Sequence, residues 1–223
     1  MKIDGNKFSK IEKEVFAPLY PLLAEQIIAA TGKTTGTCID LGCGTGALGC
    51  ALLQKTRLQM LFYDESPQML ELAAEKMAEQ QLAGRFSLQC GDVANIDLAD
   101  GAVDLAVSRG SIFFWEHLEK SLQEIERILA PGGWAYIGGG FGSQQVMDEI
   151  IARMEAKPAE GKESFSAKIR RNLGPEMQAR FASALSRAGI RNYTVLRNDE
   201  IGLWIIIRKC DNGLPAEGLQ ASR

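Results

Sequence analysis

The 223-residue chain predicts an α/β fold, a mostly parallel sheet with helices on both faces. Three observations carry that expectation. Strand-like and helix-like segments alternate from Thr37 to Gly138. One strand runs into a glycine loop that opens a helix, Cys38-Ile39-Asp40-Leu41-Gly42-Cys43-Gly44-Thr45-Gly46. The chain then closes on two neighbouring strand candidates that read as an antiparallel hairpin.

Leu19, Leu23 and Ile27 recur at i, i+4 and i+8, so Pro18–Ala30 reads as an amphipathic helix started by Pro18. The turn-rich Thr31–Gly36 leads to a strand over Thr37–Leu41, the loop Gly42–Gly46, a helix over Ala47–Lys55 and a strand over Leu58–Tyr63, which make a βαβ unit. Ser66 as N-cap and Pro67 as first helical residue begin a helix with Met69, Ala73 and Met77 on one face, ending near Gly84. Further strands are expected over Arg85–Gln89, Val103–Val107 and Trp134–Gly138. A helix over Glu116–Leu129 turns Leu118, Leu122, Ile125 and Leu129 inward and is stopped by Pro131-Gly132-Gly133.

Beyond Gly142 a helix is expected over Gln144–Ala156. The polar Lys157–Gly174 stretch reads as a solvated loop, with a lid or a homodimer contact as its other readings. A helix over Pro175–Ala188 carries Met177, Phe181 and Leu185 inward, and Gly189 suits a left-handed C-terminal position. Arg191–Arg197 and Ile201–Arg208 form the hairpin, joined by Asn198-Asp199-Glu200, and 210–223 is expected to be a flexible tail. The organisation expected is one domain over 1–209, with a helical cap over 1–36 and a core over 37–209.

Apolar residues make up 46% of the chain, enough for a buried core, so disorder is set aside. A net charge of −3 and one short basic cluster, Lys168, Arg170 and Arg171, give no stripe for phosphates, and no nucleic-acid partner is expected. The longest apolar run, Ile201–Ile207, falls far short of the roughly 20 residues a spanning helix needs, so no membrane partner is expected either. Met1–Glu14 is charged and lacks the apolar run of a secretory signal. The five cysteines form no CxxC pair and read as reduced thiols, so the expected location is cytoplasmic. With His117 the single histidine, a multi-histidine metal site is excluded, and no metal is expected.

Glycine leaves no Cβ between backbone and ligand, so the loop after Leu41 can close around a nucleotide-like molecule beside a helix N-terminus. Gly44-x-Gly46-x-x-Gly49 also satisfies the dinucleotide fingerprint, and Asp64 lies near the ~20-residue offset of a ribose-binding acid. The loop alone leaves both kinds of cofactor open.

Three further features narrow the choice. Asp64 follows a strand and precedes Glu65-Ser66-Pro67-Gln68-Met69-Leu70, Asp92 follows the next strand in Cys90-Gly91-Asp92-Val93, and Ala130-Pro131-Gly132-Gly133 precedes another. The ordered set DLGCGTG, DESPQML, GDV, VDLAVSRG and LAPGG, within a stretch from about Thr37 to Arg208, resembles the class I S-adenosylmethionine-dependent methyltransferases, in their small-molecule type 11 (UbiE-like) group. The resemblance implies a Rossmann-like seven-stranded sheet of order 3-2-1-4-5-7-6 and S-adenosylmethionine as cofactor. It implies that Gly42, Gly44 and Gly46 hold the methionine end, with Asp40 bracing the loop or binding through water. Asp64 would take both ribose hydroxyls, with Glu65 and Met69 beside it in the cofactor site. Asp92 and the backbone of Val93 would read the adenine edge, and Ser108 would lie near the methionine amino group. Asp104 looks like the structural acid of that family. The amino-terminal helix would cover the cofactor or simply pack on the sheet, with Tyr20 a candidate contact.

Ser108-Arg109-Gly110-Ser111-Ile112-Phe113-Phe114-Trp115-Glu116-His117 sits where enzymes of this resemblance place acceptor-binding groups. Arg109 could pair with a carboxylate or phosphate, the aromatics could wall a pocket or belong to the core, and His117 could accept a proton or stand exposed in the first helical turn. Gly138–Gly140 leaves room for an acceptor to approach. The expected function is methyl transfer from S-adenosylmethionine to a small-molecule acceptor. A cofactor-binding protein without catalysis is the first alternative. An NAD(P)-dependent oxidoreductase is the second, though no Tyr-x-x-x-Lys pair is present. Aminopropyl transfer is the third, and SRGSIFFWEH supplies no acid-rich pocket for it.

Overall fold

The computed structural model describes residues 5–156, 163–198 and 202–210. Seven strands form one sheet: β1 (Thr35–Leu41), β2 (Arg57–Asp64), β3 (Phe86–Cys90), β4 (Val103–Arg109), β5 (Leu129–Gly139), β6 (Tyr193–Asn198) and β7 (Gly202–Arg208), in the order 3-2-1-4-5-7-6. Strands β1 to β5 pair in parallel, as in Asp40 with Phe62 and Asp40 with Val107. β7 enters antiparallel between β5 and β6, pairing Ile206 with Tyr136 on one side and with Thr194 on the other. The seven-stranded Rossmann-like sheet is therefore present as expected.

Alternation along the strands gives each face its own core. Cys38, Leu105, Val107 and Tyr136 meet α2 (Leu19–Thr31), α3 (Ala47–Lys55) and α4 (Pro67–Glu79) on one side. Ile39, Leu41, Ala106 and Ile137 meet α5 (Leu118–Ile128) and α8 (Pro175–Arg187) on the other. Trp204 is fully buried, and its ring lies 4.8 Å from Tyr136, so the inserted strand is also a principal core element. Side chains of this size stabilise by roughly 1.5–3 kcal/mol each when buried.

Four local expectations change. Glu116–Leu129 was to stop at Pro131-Gly132-Gly133, but α5 ends at Ile128 and β5 starts at Leu129, running through those residues. A register shift between Val103 and Leu105 absorbs the irregularity. Gly132, at φ +70°, donates to the Lys209 carbonyl at 3.0 Å, and the Gly133 carbonyl accepts the Lys209 amide at 2.9 Å, so the ladder partly replaces the turn. The helix begun by Ser66 ends at Glu79 rather than near Gly84, because Gln81 takes a positive φ of 56°.

The stretch read as solvated loop contains α7 (Phe165–Leu173), capped by Ser164, whose Oγ accepts the Ala167 amide at 3.1 Å. Phe165, Ile169 and Leu173 recur at helical spacing and pack on the core, Phe165 against the rings of Phe16 and Phe141. The segment before Pro18 is also structured, as α1 (Gly5–Ile11) followed by a π-helical turn over Glu12–Phe16. α6 (Gln144–Glu155) lies as expected, capped by Ser143. The expected 198–200 turn and 210–223 tail fall largely outside the described residues. No helix among the described residues is long and apolar enough to cross a membrane.

Candidate cofactor and acceptor site

The glycine loop lies at the carboxyl ends of β1 and β2, where open α/β sheets collect ligands. Gly42 and Cys43 donate their amides to the Tyr63 carbonyl at 2.8 and 3.1 Å, which fastens the loop to the end of β2. Gly42, Gly44 and Gly46 all have positive φ, of 60°, 53° and 73°. Their reasons for lacking a side chain differ. A Cβ on Gly42 would lie 2.4 Å from Ser111 Cβ, and one on Gly46 would press on Ala73 and Phe62 at 3.0 and 3.1 Å. At Gly44 the only such neighbour among the described residues is Cε1 of Phe8, at 3.4 Å. Packing explains the first two glycines; Gly44 presents bare backbone beneath one ring of α1.

Asp64, at the end of β2 and 8% exposed, accepts the Gly44 amide through Oδ2 and the Ser66 amide through Oδ1, both at 2.9 Å. Glu65 beside it is exposed, and Met69, one turn into α4, is buried. Asp40 is buried on β1, and its Oδ2 accepts the Gly49 amide at 3.0 Å, so it braces the start of α3. Burial raises its pKa to about 7, against the lowering effect of the Gly49 bond. Asp104 accepts the Thr37 amide at 2.8 Å at the far end of β1, a structural role.

Past β3, Asp92 is exposed and its Oδ1 accepts the Ala94 amide at 2.8 Å, closing a turn that places Val93 in the core. Tyr63 reaches under this turn, its hydroxyl donating toward the Asp92 and Asn95 carbonyls at 3.3 and 3.4 Å. Arg127 fixes the following loop by donating to the Ile96 and Leu98 carbonyls at 2.8 and 2.7 Å. Ser108 is fully buried and shares a 2.6 Å hydrogen bond with Ser111, which donates to the Leu41 carbonyl at 3.0 Å. The ends of β1 and β4 are thereby linked beside Gly42.

Arg109 turns toward the amino-terminal segment. Its guanidinium lies over the rings of Phe16 and Phe141, at 5.1 and 5.4 Å from their centroids, and donates weakly to the Gly140 carbonyl at 3.3–3.4 Å. The buried Tyr20 lies close by, so that its hydroxyl and the guanidinium interact electrostatically. Burial pulls the Arg109 pKa down and pushes that of Tyr20 well up, with each partner favouring the other's charged form.

His117 is exposed at the N-cap of α5. Its carbonyl accepts from Ser121, and it borders a groove with Glu116, Arg180 and Arg187 between α5 and α8. None of the glycine-loop residues borders that groove. Phe113 stacks on Phe181 at 6.1 Å, Trp115 packs on the core, and Phe114 is 76% exposed. The aromatic run therefore divides between the core and the surface.

Sequence reading missed Glu12. This acid is 3% exposed, accepts from Thr45 of the glycine loop at 2.9 Å and pairs with Lys76 of α4. With Phe8 over Gly44, it fastens the amino-terminal segment across the loop. Phe8, Ile11 and Val15 stand at helical spacing, which was the available signal. Among the described residues no group of three or more His, Cys, Asp or Glu could hold a metal ion.

Strand order, glycine loop, and acids at the ends of β1 and β2 and after β3 define a nucleotide-cofactor protein of the methyltransferase architecture. Residues 39–137 match the model of the methyltransferase domain family. A solved structure from Methanococcus maripaludis, assigned as an S-adenosyl-L-methionine-dependent methyltransferase, is 42% identical, with 93% of this chain and 92% of that one covered and a TM-score of 0.87. A malonyl-[acyl-carrier protein] O-methyltransferase of Pectobacterium atrosepticum is 34% identical over 53% of this chain and 44% of its own length. Ajmaline N-methyltransferase of Rauvolfia serpentina is 28% identical over 64% of this chain and 46% of its own. The chain thus spans less than half the length of these two curated relatives. It belongs to the S-adenosylmethionine-dependent methyltransferase family, whose cofactor is S-adenosylmethionine.

Proposed function

We propose that this chain catalyses methyl transfer from S-adenosylmethionine to a small-molecule acceptor in the cytoplasm. The observation that carries the reading is the Asp64 carboxylate, held at the end of β2 against the bare backbone of Gly44. Two ionised oxygens at that place suit two ribose hydroxyl donors, since each oxygen has acceptor capacity beyond its one backbone amide. Asp92 and Val93 are assigned to the adenine edge, Glu65 and Met69 to the flank of the ribose, and Gly42, Gly44, Gly46 and Ser108 to the methionine end. Asp40 acts by bracing the loop.

Bound S-adenosylmethionine supplies a methyl group already activated on a sulfonium sulfur. The protein's tasks are then to orient an acceptor, exclude water and hold charge, and orientation alone is worth roughly 7–11 kcal/mol of barrier. Phe8 and the Glu12–Thr45 contact let α1 exclude water from above the loop. Arg109 is assigned to the acceptor side. His117 stands in a different groove and is given no part in the reaction. Cytoplasmic residence is supported by five cysteines without a disulfide. The relatives named for O- and N-methylation show that the architecture does not dictate the attacked atom.

The test is a metabolite extract incubated with methyl-labelled cofactor. Label entering the small-molecule fraction is expected. Binding of S-adenosylhomocysteine without transfer to any fraction would favour the non-catalytic alternative, and transfer only to macromolecules would contradict the acceptor class.

A further inference from the structure

Arg109 carries a charge that the described residues do not balance. No described carboxylate lies within 4 Å of it, although the guanidinium is flanked by Phe16 and Phe141 and backed by Tyr20. The acids nearest in the site are already engaged. Glu12 pairs with Lys76 and Thr45, and Asp40 accepts from Gly49. A part-buried cation without a countercharge has lost some of its solvation, and natural sites tolerate this where a ligand supplies the missing charge.

Geometry restricts that ligand. Aromatic rings over the guanidinium and the Gly140 carbonyl against its Nε–Nη2 edge leave the Nη1–Nη2 edge for recognition, and a carboxylate fits such an edge with two parallel hydrogen bonds. A phosphate dianion would call for more positive charge than this one side chain and the neutral Tyr20 hydroxyl provide. Phe165 joins the other rings, at 5.9 Å from Phe16 and 6.3 Å from Phe141, so the surroundings suit an apolar body. Phe141 follows β5, Phe165 lies on α7 and Phe16 ends the amino-terminal turn, whereas the residues assigned to the cofactor belong mainly to β1, β2 and β3 and the loops after them.

We infer that Arg109 and the Tyr20 hydroxyl form the receptor for a carboxylate that the acceptor carries on an apolar or aromatic body. The inference rests on the methyltransferase reading above and narrows its substrate class. Arg109 remains partly exposed, and Phe16 and Tyr20 from the amino-terminal segment flank the place where such a molecule would bind.

The experiment uses the full chain saturated with S-adenosylhomocysteine, with benzoate and its neutral isostere benzamide as probes in calorimetric titration. Parent protein is expected to prefer benzoate at least tenfold. Arg109→Met should abolish the preference, and Tyr20→Phe, which keeps the ring, should reduce it about threefold or more. Affinity for S-adenosylhomocysteine should change by less than about threefold in both variants. Equal binding of the two probes by the parent, or a preference that survives Arg109→Met in a folded protein, overturns the inference. If Arg109→Met weakens S-adenosylhomocysteine but not 5′-methylthioadenosine, which lacks the amino-acid portion, the carboxylate is the cofactor's own and the acceptor assignment fails. Failure of the parent to bind S-adenosylhomocysteine at all would instead contradict the underlying methyltransferase reading.

Discussion

Asp64 accepts the amide of Gly44 at 2.9 Å across 20 residues of sequence, so the acid at the end of β2 and the loop after β1 form one unit. The second oxygen accepts the Ser66 amide at the start of α4, which fixes the carboxylate plane. A cofactor ribose would meet a pre-oriented acceptor pair, at little ordering cost.

Asp64→Ala should therefore weaken S-adenosylhomocysteine binding more than tenfold. Charge-assisted hydrogen bonds contribute roughly 1.5–3 kcal/mol each, and two are assigned to the ribose. The variant should remain folded, with a modest fall in melting temperature from the lost Gly44 and Ser66 contacts. Unchanged affinity in a folded variant would move the ribose acid elsewhere.

Gly42 and Gly44 should separate packing from ligand recognition. Gly42→Ala drives a Cβ to 2.4 Å from Ser111 Cβ at positive φ, so it should destabilise the fold, by more than the roughly 1–2 kcal/mol that the left-handed conformation alone costs. Gly44→Ala meets only Phe8, at 3.4 Å, and should cost little beyond that backbone term while still reducing S-adenosylhomocysteine affinity. Urea unfolding and titration of both variants check this. Equal stability losses, or an unaltered affinity in Gly44→Ala, would count against the division.

Asp40 makes a prediction about pH. Its pKa in the folded chain is about 7, well above the ordinary carboxylate value, because burial disfavours the ionised form. Between those two values the folded state binds more protons than the unfolded state, so this group's contribution to stability falls as pH rises from about 4 to 7 and is flat above. Asp40→Asn keeps an oxygen for the Gly49 amide and removes the buried charge. Its melting temperature relative to the parent, both without cofactor, should improve progressively from pH 5 to about pH 7 and level off above. A difference independent of pH would show that Asp40 ionises without penalty.

The glycine loop, the acids at the ends of β1 and β2 and after β3, and the strand order were legible because each is local or follows from alternation. Cys38 to Gly46 announces a strand, a turn and a helix within nine residues, and topology rules supply the rest. Glu12 was not legible, since its partners Thr45 and Lys76 lie 33 and 64 residues away and an isolated acid reads as solvated. α7 was legible in principle from Phe165, Ile169 and Leu173, but the surrounding lysines and arginines obscured the stripe. That Arg109 faces Tyr20 and Phe16 rather than open solvent depends on where the amino-terminal turn docks, which no local pattern encodes.

Titration of the purified chain with S-adenosylhomocysteine and, separately, with NADH tests the central claim most directly. Both ligands could use a glycine loop and a carboxylate at the end of β2. The assignment of this crevice to S-adenosylmethionine predicts a dissociation constant for S-adenosylhomocysteine in the micromolar range or tighter, about −8 kcal/mol, and no saturable NADH binding. Tight NADH binding with none for S-adenosylhomocysteine would contradict it.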